Sequence, residues 1–97
     1  MTVFAVEYVY AADSDDARNE FRPAHREWLG GLAEDGTLLA SGPYGDGAGA
    51  LLLFKAADEA QLNETLKQDP FAAAGVIAGI RTTEWNPIIG LLAAHSA

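Results

Sequence analysis

Two segments of this chain are apolar on both faces when they are read as β-strands. Residues 2–10 (TVFAVEYVY) are rich in β-branched and aromatic types, and residues 50–55 (ALLLFK) carry four consecutive large apolar side chains. Successive side chains of a strand point to opposite faces, so a single covering layer cannot hide either segment. The fold must therefore cover both sides of its sheet, which limits the architectures open to a chain of 97 residues.

The chain is expected to need help in burying this surface. A single domain over residues 1–97 removes only roughly 60–65 % of its unfolded surface from water. The chain has no cysteine, so neither a disulfide nor a thiolate metal site can reinforce it. Its two histidines, His25 and His95, lack the spacing of a zinc site. We therefore predict a homodimer with no metal and no cofactor.

The order of the predicted elements is βαββαβ. The acidic cluster at residues 13–16 starts a long helix, for which Gly36 is a plausible C-terminal cap, and Pro23 predicts a kink or a restart inside it. The other predicted elements are a strand over 37–42, a glycine-rich hairpin into 50–55, a helix from Asp58 to about Lys67 and a strand over 76–86. Short right-handed connections make this order an α+β, ferredoxin-like sandwich with both helices on one face of the sheet.

The charge of the chain excludes several classes of partner. The formal net charge is −8, and the six Lys and Arg include Arg18, Arg22 and Arg26, which are interleaved with acids in the sequence. This balance argues against nucleic acid and against anionic membrane surfaces, which both require clustered cations. No apolar run reaches the length of a membrane span, and the N-terminus lacks the basic region of a signal peptide. We therefore expect a cytoplasmic protein with no nucleic-acid and no membrane partner.

A lone histidine lies on the apolar face of the first predicted helix. At about 100° per residue, His25 falls in the same arc as Phe21, Trp28, Leu29 and Leu32. Such a histidine is more often a packed core or interface group than a catalyst, although its chemistry suits proton transfer near neutral pH. From these residues alone, both interpretations stay open.

Three short motifs occur in order along the chain: Arg22-Pro23-Ala24-His25, Ser41-Gly42-Pro43 and Asp69-Pro70-Phe71, the last followed by residues 73–76 (AAGV). Each is weak alone. In this order and spacing, over nearly the whole length, they resemble the YCII-related (YciI-like) family of dimeric α+β barrel proteins. Lyase-like chemistry on hydroxylated, halogenated aromatics has been attached to one branch of that family.

The resemblance implies a ferredoxin-like dimer with a pocket between helix and sheet, where a histidine and an aspartate pair as the active site. At the matching positions, the catalytic residues would be His25 and Asp69. Arg22, Ser41 and Gly42 would bind a small-molecule ligand at the pocket wall. The glycine-rich hairpin and the apolar tail depart from the family pattern, so the substrate of a relative does not transfer.

Each of these residues also has a plainer interpretation. Asp69 before Pro70 is a strong helix-start signature, although one carboxylate can cap a helix and orient a histidine together. Arg22 fits a solvated or ion-paired arginine as well as an anchor for an anionic group. Ser41 commonly just ends a strand, because no nucleophile-elbow pattern surrounds it.

The function predicted from these residues is cofactor-free, small-molecule chemistry of a lyase or isomerase kind, with His25 and Asp69 as a general acid–base pair. Hydroxylated aromatics or keto acids are the expected substrates. The alternative is a non-catalytic dimeric module that binds a small ligand or assists a neighbouring enzyme. A working pair requires an imidazole–carboxylate distance of about 2.6–3.2 Å and one ring nitrogen that faces an open cavity.

Overall fold

Four strands and three helices follow one another in the predicted order. The computed structural model describes residues 1–97. The elements are β1 (Thr2–Tyr10), α1 (Asp15–Glu34), β2 (Leu38–Pro43), β3 (Gly49–Ala56), α2 (Glu59–Leu66), α3 (Pro70–Ala73) and β4 (Ile77–Glu84). The single-turn helix α3, which begins after Asp69, is added to the βαββαβ pattern. None of the helices is long and apolar enough to cross a membrane.

The sheet is antiparallel with the strand order β2-β3-β1-β4. Its two central strands, β1 and β3, are the two segments that are apolar on both faces. A central strand has all its backbone groups paired and both faces available for packing, so the most apolar segments gain most from that position. The α+β, ferredoxin-like architecture predicted from the sequence is confirmed.

The main core lies between the sheet and the helices. Phe4 of β1 faces Phe54 of β3, and Val6 faces Leu52, so their side chains share one side of the sheet. Leu62 and Leu66 of α2 complete this cluster, against which Trp28, Leu29 and Leu32 of α1 pack. Full burial of such a side chain stabilises the fold by about 1.5–3 kcal/mol. This packing attaches α1 to the sheet.

The opposite face of the sheet is only partly open. Val3 and Leu53 point to this outer face, yet Val3 is only 2 % exposed. All three helices lie on the other side, which leaves the segment after β4 to cover them. The Trp85 N–H donates to the Val3 carbonyl (2.9 Å), so that segment begins beside Val3. With both predicted helices on one face of the sheet, the other face is expected to be bare; this is wrong at the Val3 end, whereas Val9 at the far end stays 57 % exposed.

The helix boundaries follow from local chemistry. The Asp58 carboxylate accepts from the Gln61 N–H (2.8 Å) at the start of α2, as the capping pattern predicts. Gly36 adopts a φ of +86° just after α1, a conformation that glycine enters at little cost.

Two expectations for α1 are wrong: a restart of the helix at Pro23 and the packing of Phe21 with the apolar arc. The helix runs unbroken through Pro23. The packing of the helix against the sheet stabilises it by more free energy than the one missing backbone hydrogen bond costs. Phe21, expected in the packed arc, is 37 % exposed, because it lies outside the stretch where Trp28, Leu29 and Leu32 meet the core.

Candidate functional site

His25 lies in the middle of α1 and is held by an aromatic stack. Its imidazole is nearly parallel to the Phe71 ring, with an interplanar angle of 5° and 3.9 Å between ring centroids. The Trp28 ring lies 6.3 Å away on the same helix. The residue as a whole is 8 % exposed. Because the ring face is covered by Phe71, its edges are the parts that remain available for hydrogen bonds.

Asp69 is the N-terminal cap of α3. Its Oδ1 accepts from the Phe71 N–H (2.9 Å), and Pro70 follows at the first helical position, as the sequence pattern indicates. The residue is completely buried. A buried carboxylate requires several hydrogen-bond donors to offset its lost hydration, so further partners are expected around it.

Two side chains supply those partners. His25 Nδ1 lies 2.7 Å from Asp69 Oδ1, and the Tyr8 hydroxyl donates to Asp69 Oδ2 at 2.8 Å. Burial, with the charge of Asp69 beside it, raises the pKa of Tyr8 far above its ordinary value, so the hydroxyl keeps its proton. Tyr8 is therefore a donor over the whole physiological range.

The donors around Asp69 determine the protonation pattern of the imidazole. The Phe71 N–H and the Tyr8 hydroxyl both point at carboxylate oxygens, an arrangement that suits the ionised, acceptor-only form of Asp69. His25 Nδ1 must then carry a proton and donate it to Oδ1. The neutral ring consequently carries its lone pair on Nε2.

Nε2 of His25 is accessible, and the residue lines a cavity. No buried side-chain nitrogen or oxygen of the chain lacks a hydrogen-bond partner, and Nε2 has none, so this atom is accessible. His25 lines a cavity of about 740 Å³ whose walls come mainly from α1 and β2. The imidazole–carboxylate distance of 2.7 Å meets the first condition for a working pair, and an accessible Nε2 on a residue of the cavity wall is what the second requires.

The structure brings the other predicted site residues to the same cavity. Arg22 lines it from α1, and Ser41 and Gly42 line it from the exposed strand β2. Asp69 is not part of the wall and lies behind the imidazole. Four of the five residues therefore line the cavity, and the fifth, Asp69, is connected to it only through His25.

Sequence reasoning missed Tyr8 and Phe71 as parts of this site. Tyr8 looks like one more core residue of β1, and only the rule that a buried tyrosine hydroxyl needs a partner could have indicated its role. Phe71 belongs to the third motif, but nothing in the sequence shows that its ring lies on His25.

Replacement of Tyr8 by phenylalanine should destabilise the protein. The change leaves Asp69 Oδ2 buried without a donor, which costs about 1–3 kcal/mol of unfolding free energy. Tyr10→Phe is the matched control, because the Tyr10 hydroxyl makes no hydrogen bond within the chain and its loss should change little. Urea denaturation of the two variants measures both effects, and equal losses would contradict the assigned bond.

Known proteins include a similar structure and a family whose model matches this sequence. The chain is similar in structure to the 5-chloro-2-hydroxyhydroquinone dehydrochlorinase of Burkholderia phenoliruptrix in complex with 2,5-dihydroxybenzoquinone. The TM-score is 0.77 at 22 % sequence identity, over 87 % of this chain and 93 % of that chain. No curated protein matches the sequence.

The family model of the YCII-related domain matches residues 2–86. This range contains all three motifs, every strand of the sheet and all three helices. The resemblance drawn from the motifs is confirmed, and the chain belongs to the YCII-related family.

Proposed function

We propose that this protein is a cofactor-free, small-molecule enzyme of a lyase or isomerase kind, in which His25 transfers protons and Asp69 orients it. The observation that carries the proposal is the environment of the imidazole. One nitrogen is held by a buried carboxylate at 2.7 Å, while the other is unpartnered beside a cavity of about 740 Å³. A purely structural histidine would have both nitrogens satisfied.

The chemistry follows from that arrangement. Nε2 takes a proton from a carbon next to a carbonyl, or from a hydroxyl, of the bound substrate. The imidazolium that forms is stabilised by the Asp69 carboxylate, and the substrate keeps the electron pair as an enolate or phenolate. Return of the proton at another atom completes an isomerisation, whereas departure of a leaving group completes an elimination.

The size of the expected rate enhancement limits the kinds of substrate that the protein could convert. A positioned acid or base contributes about 10²–10⁴-fold in rate. Substrates whose protons are already activated, such as keto acids and hydroxylated aromatics, suit that contribution. The bound dihydroxybenzoquinone of the structurally similar dehydrochlorinase supports this class, although the low identity limits the likeness to the fold.

Arg22, Ser41 and Gly42 are proposed to hold the substrate. They lie on two facing elements, so a ligand between α1 and β2 would touch both walls and present one edge to His25. The Ser41 hydroxyl is exposed, and we assign to it a hydrogen bond to the ligand and no nucleophilic role.

Deuterium exchange tests the proposal without knowledge of the complete reaction. Phenolic and keto acids are first screened for an increase in melting temperature. Those that bind are then incubated in D₂O, and the loss of their acidic carbon-bound protons is followed by ¹H NMR. The proposal predicts faster exchange with the enzyme than in buffer for at least one binder. Binding without any accelerated exchange would contradict it.

One observation favours a second candidate function, a non-catalytic ligand-binding module. The β2 wall of the cavity, from Ala40 to Pro43, is exposed, so the cavity is not closed to water. An open cavity suits a binding protein better than an enzyme, because an enzyme must exclude water from its substrate. The exchange experiment separates the two, because a binding module would stabilise with ligand and leave the exchange rate unchanged.

We further propose that two copies associate through the outer face of the sheet. Val9 is 57 % exposed there, and Leu51 on the same face is only half-buried. Monomers rarely leave apolar surface of this kind uncovered. A cytoplasmic location stays a prediction from the sequence.

A lysine at position 9 should therefore separate the two copies. Native mass spectrometry of the wild type is expected to show twice the 10.2 kDa chain mass, and Val9→Lys a single chain. Asn63→Lys adds the same charge on the exposed side of α2 and should leave the dimer intact. A monomeric wild type, or equal dissociation of both variants, would contradict the proposed interface.

A further inference from the structure

The cavity beside His25 is lined by cations in a strongly acidic chain. The chain has 14 Asp and Glu and only six Lys and Arg, for a net charge of −8. Three of those six cations, Arg18, Arg22 and Arg26, line the cavity, and none of the acids does. The local charge is thus opposite in sign to that of the whole protein.

This concentration arises from the geometry of α1. The arginines are spaced four residues apart, so at about 100° per residue they follow one stripe of the helix. Apart from Asp15, which pairs with Arg18, the acids of α1 fall in another arc, away from the cavity: Asp16, Glu20, Glu27 and Glu34. The arginines and most of the acids of α1, which are mixed in the sequence, therefore lie on separate stripes of the helix.

The three arginines differ in their availability. Arg18 forms an ion pair with Asp15, donates to the Ser14 hydroxyl and lies over the Tyr10 ring at 4.3 Å. It is consequently committed to the protein itself. It lines the cavity with a side chain whose contacts are made within the protein.

Arg22 and Arg26 are not neutralised. Arg22 donates only to the neutral Asn19 side chain, and Arg26 makes neither an ion pair nor a side-chain hydrogen bond. A protein rich in acids offers many partners to a surface arginine. Two guanidinium groups without an acid, one turn apart on the wall of a cavity, form a site for a negative group.

We propose that this cavity selects a small organic anion, whose charged oxygen atoms are bound by Arg22 and Arg26. The guanidinium fork matches a planar oxyanion such as a carboxylate, phenolate or enolate. Arg26, which no sequence motif singled out, becomes the specificity-determining residue. The orientation of the ligand toward His25 Nε2 rests on the proposed function, whereas the preference for an anion does not.

The two cations also suit the proposed chemistry. Removal of a proton from the ligand beside His25 increases the negative charge on its oxygen atoms. Guanidinium groups in a partly enclosed site stabilise that charge more than water does. An anion that forms during the reaction would therefore be held more strongly than the substrate from which it arises.

Matched pairs of anionic and neutral probes test the preference. Benzoate is compared with benzamide, and 2-oxobutyrate with 2-butanone, by titration into ¹⁵N-labelled protein and observation of amide chemical shifts. We expect at least one anion of the two pairs to bind about tenfold or more tightly than its neutral partner, with the shifts centred on α1 and β2. High salt should weaken this binding. Equal affinity within both pairs, or no binding of either anion, would overturn the proposal.

Single-charge variants separate a specific site from general electrostatics. Arg26→Gln and Arg22→Gln should each weaken the anion about tenfold. Lys67→Gln removes the same charge from the exposed end of α2, away from the cavity, and should leave affinity unchanged. An equal loss in all three variants would overturn the site. Because the readout is binding, a lack of preference for anions would leave acid–base chemistry on a neutral substrate open. Conversely, a failure of the exchange experiment would leave the anion site standing.

Discussion

Replacement of Asp69 by alanine is expected to lower the free energy of unfolding by about 3–5 kcal/mol, since each buried donor left without an acceptor costs about 1–3 kcal/mol. Three donors lose their acceptor at once: the Tyr8 hydroxyl, the Phe71 N–H and His25 Nδ1. A domain of this size loses roughly 4–8 °C in melting temperature for each kcal/mol. Urea denaturation with thermal melting measures the effect.

Asp58→Ala is the matched control for this prediction. Asp58 is also an N-terminal helix cap, and its carboxylate accepts from the Gln61 N–H, but it is exposed and pairs with no buried side chain. Its loss should cost only about 1 kcal/mol. If both variants lost the same stability, Asp69 would be a cap and little more.

Replacement of His25 by asparagine is expected to reduce enzyme-dependent deuterium exchange into a bound substrate by about 10²–10⁴-fold. The asparagine amide can still donate a hydrogen bond toward Asp69, but it offers no basic nitrogen at the position of Nε2. The fold should therefore persist while proton transfer is lost. Exchange is followed by ¹H NMR, with the amide spectrum of the variant as the check on folding.

Two outcomes would contradict the role given to His25. A folded His25→Asn variant with undiminished exchange would place the base elsewhere. A variant that unfolds under conditions where Tyr8→Phe stays folded would indicate that the histidine serves mainly to hold α1 against α3. Lys67→Gln, which lies outside the cavity on an exposed helix end, should retain the wild-type exchange rate.

The sheet could be predicted from the sequence because its central strands carry an unusual signal. Residues 2–10 and 50–55 are apolar on both faces, and such segments become central strands. The Asp58 cap and Gly36 depend on interactions within a few residues, which a sequence displays directly. The cover of Val3 by the segment after β4 depends on the path of a chain without periodicity, and no local rule predicts it.

Less of the candidate site than of the sheet could be predicted from the sequence. His25 and Asp69 are 44 residues apart, so no spacing rule joins them, and only the order of the three motifs brought them together. Tyr8 was hidden because an inward-facing tyrosine resembles core packing until its hydroxyl finds Asp69. Arg26 was hidden because Glu20 and Glu27 flank the segment that holds it and Arg22 in the sequence, whereas the helix places those acids on another face.

The proposed function requires that the buried Asp69 carboxylate fix the proton of the His25 ring on Nδ1 and leave a basic Nε2 beside the cavity. Long-range ¹H–¹⁵N correlation spectra of the neutral ring test it directly, because protonated and unprotonated ring nitrogens have distinct ¹⁵N shifts. We expect a protonated Nδ1 and an unprotonated Nε2, with this pattern lost in Asp69→Asn. A proton on Nε2 in the wild type would contradict it.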